Sequence, residues 1–174
     1  CCGLNSIGIG SGGGVGKVTA EWLMTGHINE DIFSYDIKRF QKFHSDLGFI
    51  KKRITETLGD LYGMHWPFKQ HKTSRNIMTN PYHEELKKSG ACFGVSGGYE
   101  RAMWFALNND KPEYEYSYNY QNWYPSAEFE TINTTKNIGL YDLTPFSKFE
   151  LKGENAHEQL QKLCTANVKN EIGK

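Results

Sequence analysis

The chain has 174 residues with 20 basic and 20 acidic side chains, so its formal net charge is zero and it offers no broad basic field for nucleic acid. Hydrophobic residues at 38% and charged residues at 23% are typical of a folded globular protein rather than a disordered one. No apolar run approaches the roughly 20 residues of a membrane span, and no segment resembles a signal peptide. We therefore expect neither nucleic acid nor a membrane as a partner.

The predicted elements begin with a helix after a glycine-rich start. Residues 1–9 resemble the end of a strand that enters a turn, and the glycines from Gly12 onward open a helix that stops at Gly26. Apolar residues then recur at steps of three and four from Phe43 to Leu61, which predicts an amphipathic helix. The side chains predicted to point outward from it are Lys51, Lys52, Arg53 and Glu56.

The middle of the chain predicts a short helix followed by a strand. Asn80 is typical of a helix N-cap, Pro81 of a first helical position and Gly90 of a helix stop. The segment from 91 to 95 then predicts a strand. Residues 108–124 form a polar connector that is rich in Tyr and Asn and shows no clear periodicity.

The last third predicts two helices that flank a hairpin. Ser126 is expected to cap the first of these helices. Residues 139–143 and 146–151 are predicted to be the two strands of the hairpin. Asn155 with Glu158 resembles the capping box of the last helix.

The four cysteines, at positions 1, 2, 92 and 164, show neither a CxxC nor a Cys-x-x-His spacing. This spacing does not favour a zinc site, so we assign no metal ligand from it. We predict that all four are free thiols in a reducing compartment.

The glycine-rich start permits several interpretations. A phosphate-binding loop requires Gly at its first position and Ser or Thr after its Lys, but this sequence has Ser11 and Val18 there. The run from Gly8 to Gly13 matches the G-x-G-x-x-G fingerprint, and residues 32–36 could be the second strand of a dinucleotide-binding fold. However, residues 1–6 are not the long Val, Ile and Ala run expected before that fingerprint.

A third interpretation keeps the glycines as a ligand-binding turn without that fold. Backbone N–H groups in such a turn, together with a helix N-terminus, favour a phosphate or the electron-rich edge of a reduced flavin. The alternative is a turn in which the glycines only permit tight packing.

Several strings in a fixed order resemble the dimethylglycine dehydrogenase and sarcosine dehydrogenase family. The departure is Ala102, where the family signature that starts at Gly98 has proline. The strings are Cys2–Gly8 with Gly12–Lys17, Tyr35–Phe40, Pro81–Leu86, Gly98–Arg101 with Trp104 and Phe105, and Asp142–Phe149.

The resemblance implies an α+β or α/β fragment cut from a longer protein, which agrees with a sequence that starts without Met. Residues 1–27 would be the tail of an FAD-dependent amine-oxidase domain. Residues 28–82 would be its small middle domain. Residues 83–174 would be the first part of an aminomethyltransferase-like folate-binding domain.

The activity that the resemblance implies is oxidative N-demethylation of dimethylglycine or sarcosine. FAD would accept a hydride from the N-methyl carbon, tetrahydrofolate would take the one-carbon unit, and an electron-transfer flavoprotein or oxygen would reoxidise the flavin. The compartment would be the cytoplasm in a bacterium or the mitochondrial matrix in a eukaryote. The alternative is a non-catalytic relative, such as the regulatory subunit of pyruvate dehydrogenase phosphatase.

The site that the resemblance implies is one turn, which we name the cofactor turn. It would lie against the flavin and consists of Gly3, Leu4, Asn5, Ser6, Ile7, Gly8, Ile9 and Gly10. No catalytic residue is assigned, and the histidines at 65, 71 and 83 are expected to be surface or capping residues. Glu100 and Arg101 are expected to pair across an inter-domain contact in a structural role. Trp104, Trp123 and the Tyr-rich connector are expected to pack between the middle and the folate-binding domains.

Overall fold

The computed structural model describes residues 1–28, 31–108 and 110–171. The chain divides into two compact units, Cys1–Thr55 and Glu56–Lys174. Helices dominate, and a two-stranded sheet lies in the second unit, so the described chain mixes α and β as the sequence predicts. Among the described residues, no helix combines the length and the apolar character that crossing a bilayer requires.

Helix α1, Gly8–Thr25, is the longest element of the first unit. It ends as predicted at Gly26, whose φ of 77° is left-handed and whose N–H donates to the Trp22 carbonyl at 2.8 Å. It begins four residues earlier than predicted, and the residues before it form a turn rather than a strand. The turn forms because the Ile7 N–H donates back to the Leu4 carbonyl at 2.9 Å.

Three short 3₁₀ helices follow, at Phe33–Tyr35, Ile37–Arg39 and Lys42–Ser45. The second strand of the dinucleotide-binding interpretation is therefore wrong. The Asp36 side chain accepts a hydrogen bond from the Lys38 N–H at 2.8 Å, and this local cap favours a helical turn over an extended chain.

Helix α2, Leu47–Tyr62, confirms the predicted amphipathic helix but starts later than predicted, because Phe43 lies in the preceding 3₁₀ helix. Its apolar stripe stays half-exposed, with Ile54 at 51% and Leu58 at 53%. Glu56, predicted to point outward, instead accepts hydrogen bonds from the backbone N–H groups of Lys72 at 2.6 Å and Thr73 at 2.8 Å. Burial acts to raise the pKa of Glu56, but bonds from Thr73 and Lys72 outweigh it and lower that pKa to about 2.

The sheet of the second unit is an antiparallel hairpin of β1, Ala91–Ser96, and β2, Tyr99–Phe105. The register pairs Ala91 with Phe105 and Ser96 with Tyr99, with an irregularity after Cys92. Gly97 and Gly98 form the two-residue turn, and their φ values of 57° and 86° are those that such a tight hairpin requires. The predicted strand at 91–95 is confirmed.

Helix α3, His83–Lys88, precedes the hairpin and starts later than predicted. Asn80 does act at its start, because its side-chain oxygen accepts the Tyr82 N–H at 2.9 Å. Gly90 stops it with a φ of 84°, and its carbonyl accepts the Ala106 N–H at 2.9 Å. The chain is thereby turned directly into β1.

The core of the second unit lies where the hairpin meets the connector. Ala91, Cys92 and Trp104 are buried. The Tyr114 ring meets Trp104 edge-on at 6.3 Å and Trp123 edge-on at 5.1 Å. The packing of Trp104 and Trp123 with the connector is confirmed, and its placement between the middle and the folate-binding domains stays a prediction.

Helices α4, Tyr124–Lys136, and α5, Ala156–Leu163, complete the described elements. Ser126 lies buried inside α4 and does not cap it, since Pro125 occupies the first turn, where its missing N–H costs nothing. The predicted capping box of α5 is wrong, because Asn155 makes no side-chain capping bond.

The segment between α4 and α5 has the predicted turn without the predicted strands. The Phe146 N–H donates to the Leu143 carbonyl at 3.1 Å across Thr144-Pro145. Residues 139–143 and 146–151 are irregular. A lone two-stranded hairpin is marginal in water unless further strands or a helix cover it, so alternation alone did not suffice to form one.

Candidate functional site

The cofactor turn has an unusual backbone. Gly3, Asn5 and Ser6 have φ values of 77°, 37° and 71°. Left-handed backbone is uncommon for residues other than glycine, and it recurs at ligand-binding positions, where the surrounding structure holds it. The turn places the eight predicted residues from Gly3 to Gly10 together at the start of α1.

The N-terminal end of α1 presents backbone donors. The first helical bond runs from the Ser11 N–H to the Ile7 carbonyl at 3.0 Å. The N–H groups of Gly8, Ile9 and Gly10 therefore have no acceptor within the helix. The first turn carries no acidic side chain, so its partial positive charge is available to an anion.

The glycines of α1 leave open space beside the backbone. A Cβ added at Gly10, Gly12, Gly13, Gly14 or Gly16 would meet no atom of the described chain within 4 Å. Each glycine costs the helix about 1 kcal/mol relative to alanine, and packing inside this chain does not require any of them. The open backbone and the N–H groups of the first turn are two features that a ligand-binding turn requires.

A second candidate site is a cavity of about 530 Å³ in the unit Glu56–Lys174. Its walls include the side chains of Arg75, His83, Cys92, Glu100 and Tyr114. Arg75 comes from the irregular segment after α2, so the sequence pattern gave no signal for it.

The ion pair of Arg75 with Glu100 is the polar centre of this cavity. Arg75 Nε donates to Glu100 Oε1 at 2.7 Å, and its Nη2 donates to Glu100 Oε2. Nη2 also donates to the Phe93 carbonyl at 3.0 Å and Nη1 to the His71 carbonyl at 3.1 Å. Glu100 thus has a structural ion pair with Arg75, whereas Arg101 lies over the Phe146 ring. The placement of these residues at an inter-domain contact stays a prediction.

Glu100 is ionised although only 2% of its surface is exposed. Burial acts to raise its pKa, but hydrogen bonds from Arg75 and from the Asn76 N–H hold that pKa below its ordinary value. The bond to Glu100 raises the pKa of Arg75 in turn. The pair is thus locked to the backbone on both sides, and it acts as a scaffold for β1 and β2.

His83 is also placed differently from the prediction. It is buried, not on the surface, and its ring centroid lies 4.3 Å from that of Phe93. Its Nδ1 has no hydrogen-bond partner among the described residues. The prediction failed because a polar neighbourhood in the sequence, such as Tyr82 and Glu84, says little about what the folded hairpin covers.

The Cys92 thiol is expected to resist alkylation. It is 3% exposed, and burial raises its pKa to about 11, whereas the other three cysteines are exposed and all four are free. We predict that iodoacetamide at pH 8 labels three thiols rapidly and Cys92 only after unfolding, since the thiolate is the nucleophile. Mass spectrometry counts the labels, and a Cys164→Ser control should lower the rapid count to two. Rapid labelling of Cys92 in the folded chain would contradict the packing described above.

Two protein families match this sequence. Residues 25–79 match the FAD dependent oxidoreductase central domain, and residues 82–174 match the GCVT N-terminal domain.

Curated relatives match along most of the chain. A 4-methylaminobutanoate oxidase (formaldehyde-forming) of Paenarthrobacter nicotinovorans is 40% identical over 99% of this chain and 21% of its own length. The mitochondrial pyruvate dehydrogenase phosphatase regulatory subunit of Mus musculus is 31% identical over 92% of this chain and 19% of its own length. The mitochondrial sarcosine dehydrogenase of Mus musculus is 30% identical over 95% of this chain and 17% of its own length. The chain thus spans about a fifth of the length of these relatives.

Proposed function

We propose, on the premise that this chain belongs to the sarcosine and dimethylglycine dehydrogenase family of FAD-dependent oxidoreductases, that the whole protein oxidatively removes an N-methyl group from a methylated amino acid. The observation that carries the proposal is the match of two different domain families in the order that this family has. Within it, residues 1–27, 28–82 and 83–174 belong to the FAD, middle and folate-binding domains.

The cofactor turn would hold the flavin. FAD supplies the acceptor for the hydride that leaves the N-methyl carbon. The residues of this chain would contribute the N–H groups of Gly8, Ile9 and Gly10, which suit the negative edge of a reduced flavin. Gly3 to Gly10 would bring the backbone close to the ring, because a Cβ added at Gly10 would meet no atom of the described chain within 4 Å.

The substrate would be dimethylglycine, sarcosine or a longer N-methylamino acid. A relative described as forming formaldehyde and the GCVT match favour different fates for the one-carbon unit. We propose tetrahydrofolate as its acceptor, with an electron-transfer flavoprotein or oxygen reoxidising FAD. The protein would work in the mitochondrial matrix in a eukaryote and in the cytoplasm in a bacterium.

A second candidate function is regulatory. The identity of 31% to a pyruvate dehydrogenase phosphatase regulatory subunit covers 92% of this chain, so this segment is compatible with a non-enzymatic relative. The two candidates differ in one measurable respect, since only the oxidoreductase reduces its flavin with a methylated amine.

The deciding experiment uses the whole protein with its flavin. We expect sarcosine, dimethylglycine or 4-methylaminobutanoate to bleach the flavin absorbance without oxygen, and we expect tetrahydrofolate to lower the formaldehyde released. Flavin that binds but stays oxidised with all three substrates would remove the enzymatic proposal and favour the regulatory one.

The cofactor turn has its own test in the same protein. We predict that Gly10→Leu weakens flavin retention at least tenfold, about 1.4 kcal/mol, because its side chain would occupy the space that the ring needs. Gly16→Leu is the matched control, since a Cβ there is equally free of contacts and lies nearly two turns further along α1. Equal flavin content of the two variants, measured by absorbance after gel filtration, would refute the placement of the cofactor.

A further inference from the structure

Three potential metal ligands converge in the unit Glu56–Lys174. Glu56 and Asp60 are four residues apart on α2, so their carboxylates lie on one face of the helix. His71 reaches them from the irregular segment that follows α2. One ligand atom from each of the three lies within 4.8 Å of the others.

The distances within this cluster do not describe hydrogen bonds. His71 Nδ1 lies 3.9 Å from Glu56 Oε1 and 3.6 Å from Asp60 Oδ2, and both separations exceed the usual 2.7–3.2 Å of a hydrogen bond. Ligands at 2.0–2.2 Å around a tetrahedral zinc ion are about 3.4 Å apart. The observed separations are close to the edges of such a tetrahedron.

His71 Nδ1 is an orphaned polar atom. It is buried from solvent although the rest of the imidazole is partly exposed, and it has no hydrogen-bond partner among the described residues. Buried polar atoms almost always have a partner, and an exception calls for an explanation such as an ion. This atom faces two carboxylates, so a cation is the partner that its surroundings suit.

Each carboxylate is oriented by groups outside the cluster. Glu56 Oε2 accepts from the Thr73 N–H at 2.8 Å and from the Thr73 hydroxyl, and Glu56 Oε1 accepts from the Lys72 N–H. Lys69 Nζ lies 2.5 Å from Asp60 Oδ1, which leaves Oδ2 toward His71. Outer partners of this kind hold metal-binding carboxylates in place in known sites.

We propose that Glu56, Asp60 and His71 bind a divalent transition-metal ion of the zinc class. An imidazole with two carboxylates favours zinc, manganese or iron over magnesium and calcium, which prefer oxygen ligands alone. Three protein ligands leave a fourth position of a tetrahedral ion for water. The competing interpretation is a cluster in which Lys69 and His71 only neutralise the two carboxylates.

The test titrates the purified, metal-free 174-residue chain with Zn²⁺ by calorimetry, and with Co²⁺ to record the visible absorption that a four-coordinate ion gives. We expect one site. His71→Ala should weaken Zn²⁺ binding about 100-fold, and Glu56→Gln should weaken it at least tenfold. The matched control is His157→Ala, which removes an exposed histidine of α5 and should leave the affinity unchanged.

Three outcomes would overturn the proposal. They are no measurable binding, equal Zn²⁺ affinity of the His71 and His157 variants, or Mg²⁺ competing as well as Zn²⁺. Circular dichroism establishes that each variant is folded. If His71→Ala does not fold, the Zn²⁺ affinity of Glu56→Gln decides the question. Zn²⁺ should then raise the melting temperature of the unsubstituted chain and not that of Glu56→Gln.

Discussion

Replacing Arg75 by Met is expected to lower the free energy of unfolding by about 3–5 kcal/mol, because it leaves the buried Glu100 carboxylate without its counter-charge. Glu100 is 2% exposed and takes two of its hydrogen bonds from Arg75. The same substitution also removes the donors to the Phe93 and His71 carbonyls. Strand β1 and the segment after α2 would lose the side chain that hydrogen-bonds to both of them.

Urea denaturation followed by circular dichroism measures this loss. The matched control is Lys88→Met, which breaks the exposed pair between Lys88 and Glu85 on α3, where Nζ and the carboxylate are 2.8 Å apart. An exposed pair contributes less than about 1 kcal/mol. Similar small losses in both variants would show that Glu100 finds another partner or water when Arg75 is absent.

The contribution of Glu100 to the free energy of unfolding should depend on pH with opposite sign in the unsubstituted chain and in Arg75→Met. In the unsubstituted chain the pKa of Glu100 lies below its ordinary value, so its contribution to stability is present above the unfolded pKa of about 4.3 and is lost as the pH falls through the folded pKa. In Arg75→Met, burial without a partner places that pKa above its unfolded value. Acidification then protonates the buried Glu100 carboxylate and removes the cost of its unpaired charge in the variant. The difference in unfolding free energy between the unsubstituted chain and Arg75→Met should therefore narrow below about pH 5.

Trp104→Ala is expected to cost about 3–5 kcal/mol, the usual range for removing a buried aromatic side chain. Trp104 is 3% exposed in β2 and packs against the edge of Tyr114, which in turn contacts Trp123. The cavity would therefore open between the hairpin and the connector. The measurement is chemical denaturation followed by far-ultraviolet circular dichroism, because removing a tryptophan changes the fluorescence signal itself.

An exposed tryptophan provides the comparison for this experiment. Trp22 lies on α1 and is 38% exposed, so Trp22→Ala should cost less than about 1 kcal/mol. A loss for Trp104→Ala no greater than that for Trp22→Ala would mean that the connector does not cover the hairpin in solution.

Local signals in the sequence predicted the elements that local physics determines. The end of α1 at Gly26 follows from the backbone freedom of glycine. Helix α2 follows from the spacing of its apolar residues. Both signals come from residues that are close together in the sequence. Arg75 and Glu100 are 25 residues apart, and Arg75 lies in a segment without periodicity. A prediction from short stretches of sequence could therefore not have paired them. Glu56 was placed outward for the same reason, because its partners come from residues 72 and 73.

The candidate sites divide along the same line. The cofactor turn was predicted from resemblance, and the structure adds the left-handed Asn5 and Ser6, which no spacing rule anticipates. The cluster at His71 could not be predicted, since only the return of the chain past α2 brings the imidazole to the carboxylates. Spacing of four between Glu56 and Asp60 was visible in the sequence, but two acids on one helix face are common without a ligand.

The half-exposed stripe of α2 has a practical consequence for handling the chain. Ile54 and Leu58 offer apolar surface to other molecules, and a formal net charge of zero at pH 7 gives little repulsion to keep copies apart. Precipitating salts such as sulfate strengthen apolar association. Concentrating the chain is therefore safest in low-sulfate buffer about two pH units from neutrality, where its copies carry like charge.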